Sequence, residues 1–132
     1  MLHCVLQPPG HHLPVHAVCV HLGLQESHRQ HQLRRVCDLV NSFPAHEPVV
    51  LAGDFNDWRH RAHRVLQHEA GLQEVFVQAF GRAVRTFPAA MPLLALDRIY
   101  VRNATVHSPL ALPKKPWDKL SDHAPLAAEI LL

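Results

Sequence analysis

No apolar run in the sequence approaches the ~20 residues that a membrane-spanning helix requires, so stable insertion into a bilayer is not expected. Met1 to Leu6 has neither the basic start nor the apolar length of a signal peptide, and the expected location is cytoplasmic. Cysteine is scarce. Cys4, Cys19 and Cys37 are odd in number and form no CxxC or zinc-finger spacing, which excludes a scaffold built on disulfides or zinc. They read as reduced, partly buried thiols. An excess of charge is lacking too: the net value is +2 with histidine neutral, which by itself gives no argument for nucleic acid. No internal repeat, low-complexity tract or linker divides the chain. What is left is 132 residues, 48% of them apolar, enough for one globular domain with a modest core. Histidine is unusually plentiful, at 13 residues, and its partial protonation near about pH 6 makes the surface more basic.

The run Val49-Val50-Leu51-Ala52, entered through Pro48 and ended by Gly53, predicts a short strand buried on both faces. Asp54 and Asn56 follow at its carboxyl end, where open α/β sheets place their ligands. The plainer reading is a strand-to-helix loop with ordinary turn residues. Asp57 can cap a helix beginning at Trp58.

Around this stretch the other elements fall in order. Leu2 to Gln7 and Pro14 to Leu22 predict an antiparallel hairpin turned at Pro8-Pro9-Gly10, with His21 at the end of its second strand. Leu33, Val36, Cys37 and Val40 recur at helical spacing within a helix from Glu26 to Asn41, which Pro44 prevents from continuing. A second helix spans Trp58 to Ala70, with Trp58, Ala62, Val65 and Leu66 inward and Gly71 as its C-terminal cap. Leu72 to Phe80 reads as a short strand or an irregular crossing. Thr86 to Pro92 is a loop, Leu93 to Arg102 a strand, and a loop carrying Pro109, Pro113 and Pro116 leads to a last strand at Ala124 to Leu132. The expected fold is α/β, a mixed sheet with helices on one face.

Four places break the apolar pattern at strand ends: His21, Asp54 with Asn56, Asp97, and Asp122 with His123. A carboxylate set in Leu96-Asp97-Arg98-Ile99-Tyr100-Val101 needs a partner if buried. A histidine imidazole, Arg98 or a backbone amide could supply it. His21 taken alone is an ordinary core histidine. The pairs His28/His31 and His60/His63 read as solvated helix faces, because no set of cysteine or carboxylate ligands surrounds them. Arg59, Arg61, Arg64, Lys114 and Lys115 likewise fit a plain soluble surface, although they could meet an anionic substrate.

Taken together, Gly53-Asp54-Phe55-Asn56 after a strand, Leu96 to Val101, and Ser121-Asp122-His123-Ala124-Pro125-Leu126 opening the last strand occur in one fixed order, preceded by Val18-Cys19-Val20-His21-Leu22. In this they resemble the endonuclease/exonuclease/phosphatase superfamily, whose members include pancreatic-type DNases, abasic-site endonucleases, bacterial sphingomyelinases and inositol polyphosphate 5-phosphatases. The resemblance implies half of a DNase I-like four-layer α/β/β/α sandwich and Mg²⁺- or Mn²⁺-dependent phosphoester hydrolysis. The substrate would be nucleic acid, a phospholipid head group or an inositol phosphate. By the same resemblance Asp54 would orient or deprotonate water, and Asn56 would hold a phosphate oxygen. Asp122 would ligate the metal directly or through water. His123, paired with Asp97, would bind phosphate or transfer a proton, and His21 would donate to a phosphate oxygen or leaving group.

The resemblance covers only the family's second half, so residues 1–132 are expected to form the C-terminal half of such a domain. The metal-binding glutamate of the first half has no counterpart. Gln73-Glu74 has a similar sequence but stands in the wrong place, after Gly-Asp-Phe-Asn. Two expectations follow. Either an N-terminal half is missing, or the open sheet face is covered by a second copy, in a homodimer burying Val18, Val20, Leu126 and Ile130 or their opposite-face neighbours.

Overall fold

Val49, Leu51 and their neighbours form the middle of a five-stranded mixed sheet. The structure, a computed structural model, describes residues 1–110 and 112–132. The strands of this sheet are β1 (Leu2–Leu6), β2 (Val15–His21), β3 (Val49–Asp54), β4 (Gln73–Glu74) and β5 (Asp97–Arg102), in the order β1-β2-β3-β5-β4. Only β2 and β3 run parallel. The crossover between them is α1 (Glu26–Ser42), as a parallel connection requires.

Alternation along the strands sends Val18, Val20, Leu51 and Tyr100 to one face. There they bury against Leu33, Val36 and Val40 of α1 and Ala62 and Leu66 of α2 (Arg61–Ala70). The other face carries Val50, Ile99 and Val101. These pack beside α3 (Val75–Phe80) and under a separate two-stranded sheet, β6 (Thr105–Leu110) with β7 (Ala127–Leu131), through Val106, Leu126 and Ile130. The fold is thus a mixed sheet with the two longer helices on one face and the start of a second sheet on the other.

Several expectations need correction. Val18 and Val20 are buried beneath α1 and do not belong to any exposed dimer face. The exposed positions on the opposite side of β1 and β2 are Leu2, Cys4, Leu6 and Cys19. Two of the three thiols are therefore exposed, and only Cys37 is buried. The strand expected from Leu93 begins at Asp97, because Leu94 turns back to exchange backbone hydrogen bonds with Phe87. Leu72 to Phe80 holds a short helix after two strand residues, and the proline-bearing loop holds β6. Pro109 fits there because β6 pairs with β7 alone, so a lost N–H breaks no second ladder. The second helix starts at Arg61, leaving Trp58 44% exposed instead of inward. No helix among the described residues is long and apolar enough to cross a membrane.

Candidate active site

Gly53 fixes the end of β3. Its φ is +143°, and a Cβ there would lie 1.9 Å from the Val20 carbonyl oxygen, so only glycine lets β3 close on β2. The next residues turn out of the sheet. Leu22 N–H donates to the Asp54 carbonyl (2.9 Å) and Phe55 N–H to that of Leu96 (2.8 Å), while the Phe55 ring buries fully against Tyr100. Asn56 takes a left-handed conformation, φ 48°, which asparagine tolerates better than most residues. Its backbone N–H donates to Asp54 Oδ1 (2.8 Å). Its side-chain amide donates to the Leu22 carbonyl (2.8 Å) and to Asp54 Oδ2 (3.2 Å). The side-chain amide thereby engages Leu22 and Asp54, and together with the backbone N–H it holds the Asp54 carboxylate in place.

Register brings the remaining groups together. His21 of β2 lies opposite Asp54 of β3, and Asp54 lies opposite Asp97 of β5, so the three side chains stand in a row on one face of the sheet. His21 Nε2 is 3.6 Å from Asp54 Oδ2, with its side chain 79% exposed, so it is no core histidine. Asp97 accepts from His123 Nδ1 at 2.7 Å. Of the partners open to Asp97, the imidazole is the one it takes. Arg98 points to the opposite face.

An ionised Asp97 can only accept, which places a proton on His123 Nδ1 and leaves Nε2 as the outward group. Burial disfavours the charged ring, but the hydrogen bond to Asp97 and the fields of Asp97, Asp54 and Asp122 outweigh it. His123 therefore holds its proton above the usual histidine range.

Two features that hold this site together were not foreseen. Thr86 is fully buried, and its Oγ1 accepts from the backbone N–H groups of Leu96 (3.3 Å) and Asp97 (3.2 Å). Its carbonyl accepts from Ala124 N–H (2.7 Å), and Ala89 N–H donates to the Asp122 carbonyl (2.7 Å). The Thr86 to Pro92 loop thus ties the Ser121–Ala124 turn to the start of β5, and Phe87 packs 4.9 Å from the His123 ring. Nothing in the local sequence marks a threonine for this role.

The second feature is a buried ion pair. Arg98 Nη1 reaches Asp57 Oδ2 (3.4 Å) and Nη2 donates to the Asp57 carbonyl (2.6 Å), with both side chains at most 2% exposed. Asp57 also accepts from Ala62 N–H (2.7 Å), so it caps α2 from outside the first turn. Arg98 contacts His60 Nδ1 (3.2 Å), so His60 is not merely a solvated residue. Strand alternation was the available signal: Arg98 shares a face with Tyr100 and must find an acid there.

Asp122 is exposed, with Oδ1 3.5 Å from Ser121 Oγ, and it precedes His123 in the chain. Asp54 and Asp122 are the oxygen donors a hard cation prefers. Yet no group of three or more histidine, cysteine or carboxylate side chains among the described residues could hold a metal ion. These residues alone do not fit a complete Mg²⁺ or Mn²⁺ site. Glu74 does not supply the deficit. It is buried under the sheet, donor-bonded from Val77 N–H (2.5 Å) as the cap of α3, and burial raises its carboxyl above the usual range.

A mixed sheet with the two longer helices on one face, and strand-end carboxylates and histidines on the other, is half of a layered α/β/β/α sandwich. The sequence model of the Endonuclease/Exonuclease/phosphatase family matches residues 8–123, and the chain belongs to that family. It is 54% identical over 132 residues to the Uncharacterized protein YbhP of Escherichia coli K12, covering 100% of this chain and 52% of that protein. A UPF0294 protein of Yersinia pestis is 36% identical over 118 residues, covering 87% of this chain and 40% of its own length. The chain thus spans about half the length of the curated relatives it matches.

Among solved structures, a functionally unknown conserved protein from Enterococcus faecalis V583 superposes with a TM-score of 0.74 at 25% identity, over 92% of this chain and 52% of that one. D. rerio TDP2 complexed with a single-strand DNA product shares the fold, with a TM-score of 0.70 at 18% identity over 100% and 68%.

Proposed function

We propose that residues 1–132 are the C-terminal half of a phosphoester hydrolase domain, and that the row His21, Asp54, Asp97 with His123 is its catalytic face. The observation that supports this most is the 2.7 Å bond between Asp97 and His123 Nδ1, beside an Asp54 held by both amide groups of Asn56. Asp97 orients the His123 ring so that Nε2 faces a phosphoryl oxygen. Asp54 orients and accepts a proton from the attacking water. Asn56 acts on Asp54, in place of the phosphate contact expected for it. His21, exposed beside Asp54, donates to a phosphate oxygen or to the leaving group. Mg²⁺ or Mn²⁺, with Asp122 as one ligand, would neutralise phosphoryl charge, but its remaining ligands must come from outside this chain.

That deficit supports a second reading, in which this chain by itself is non-catalytic, keeps the fold and self-associates. Hydrolysis of bis-(p-nitrophenyl) phosphate separates the two. The chain alone should turn over near background. A chimera carrying the remaining half of the 54%-identical relative should gain orders of magnitude, and Asp54→Ala should remove the gain. Robust metal-dependent turnover by the 132-residue chain, abolished by Asp54→Ala, would show that the other half is dispensable.

A further inference from the structure

Beside the depression that holds Asp97, Ser121 and His123 lies a second cavity of about 410 Å³. The two share Trp117, Ala124, Pro125 and Leu126 as a common wall. The far side of the second cavity is apolar, built by Phe76, Phe80, Leu110 and Leu112, the last three of them 58%, 40% and 37% exposed. Its charged residues are two cations, Arg85 and Lys114, and one carboxylate, Asp118, so it selects by apolar contact more than by charge. A volume of this size is that of a small-molecule pocket, and its position continues the catalytic face past Trp117.

We infer that this cavity binds an apolar ester group of the substrate, an alkyl chain or ring attached to the phosphate held at His123. The inference rests on the phosphoester-hydrolase reading and specifies one side of its substrate. A phosphate at His123 Nε2 leaves its ester oxygen free to turn toward Trp117, and the carbon chain beyond it leaves water along Leu126 and Leu112.

Binding can be read without turnover. Trp58 and Trp117 are the two tryptophans, so in a Trp58→Phe chain the emission reports Trp117 alone. Titration with n-alkyl phosphates below their micellar concentrations should shift that emission to the blue and saturate. Affinity should rise by about fourfold per added methylene until the cavity is filled, then level off. Leu112→Glu, at an exposed position outside the helices and strands, should raise the half-saturating concentration of decyl phosphate tenfold or more with circular dichroism unchanged. A decyl chain binding no better than a methyl one, or an unaltered response in Leu112→Glu, would overturn the cavity assignment and leave the hydrolase reading intact. Decanol binding as tightly as decyl phosphate would support the cavity while removing its link to a phosphate site.

Discussion

Single atoms decide much of this site. The Gly53 α-hydrogen faces the Val20 carbonyl with no room for a methyl group. Gly53→Ala should therefore cost about 3 kcal/mol or more, read as a lower midpoint in urea unfolding; a loss under about 1 kcal/mol would mean that β2 and β3 separate easily. The histidines near Arg98 provide a pH test. Burial, and then the Arg98 charge, hold His60 and His63 below the usual range, only partly opposed by Asp57. Their folded forms resist a proton that the unfolded chain accepts. Stability is then highest above about pH 6.5 and falls as pH drops through the lowered values. A chain with His60→Gln and His63→Gln should lose less melting temperature between about pH 7 and pH 5 than the native chain, and an equal loss would contradict the assignment. Asp54, Asn56, Asp97 and His123 were legible in the sequence because each interrupts an apolar strand pattern. Thr86 was not, since its contacts are to backbone groups brought near only by the Phe87–Leu94 turn.

At the scale of elements, the loop from Gly53 to His60 is held by the Asp57–Arg98 pair more than by the helix that follows it. Asp57→Ala leaves the Arg98 guanidinium buried without the carboxylate it pairs with, which should cost about 3–5 kcal/mol. Arg98→Met in the same chain should recover a large part of that, and failure to recover any would assign the cost to the lost cap at Ala62. The helices and strands with clear periodicity, α1, β2 and β3, stand close to where hydrophobic spacing puts them. α2 starts later because the cap sits on a residue that reaches past a left-handed His60. β6 was hidden by its proline, which a strand with a single partner accommodates. β5 is shorter than its apolar run because apolar character continues through Leu93 to Leu96 while the backbone turns away from the sheet.

For the whole molecule, one uncovered apolar face lies over β1 and β2, where Leu2, Leu6, Cys4 and Cys19 are exposed. An apolar sheet face is seldom left in water. The chain alone should therefore run as a dimer or larger species in light scattering after size exclusion. Cys19→Glu on that face should return it to 14.9 kDa; a native monomer that binds no hydrophobic dye would rule self-association out. The central claim is that the strand-end groups form one catalytic unit, and a double-mutant cycle on Asp97 and His123 tests it most directly. In the chimera with the complementary half, Asp97→Asn, His123→Ala and the two together are compared by kcat/KM on bis-(p-nitrophenyl) phosphate. Groups that act only through each other give non-additive losses, so the double variant should be little worse than His123→Ala alone. Losses that multiply independently, or a His123→Ala chimera that keeps full activity, would contradict the account.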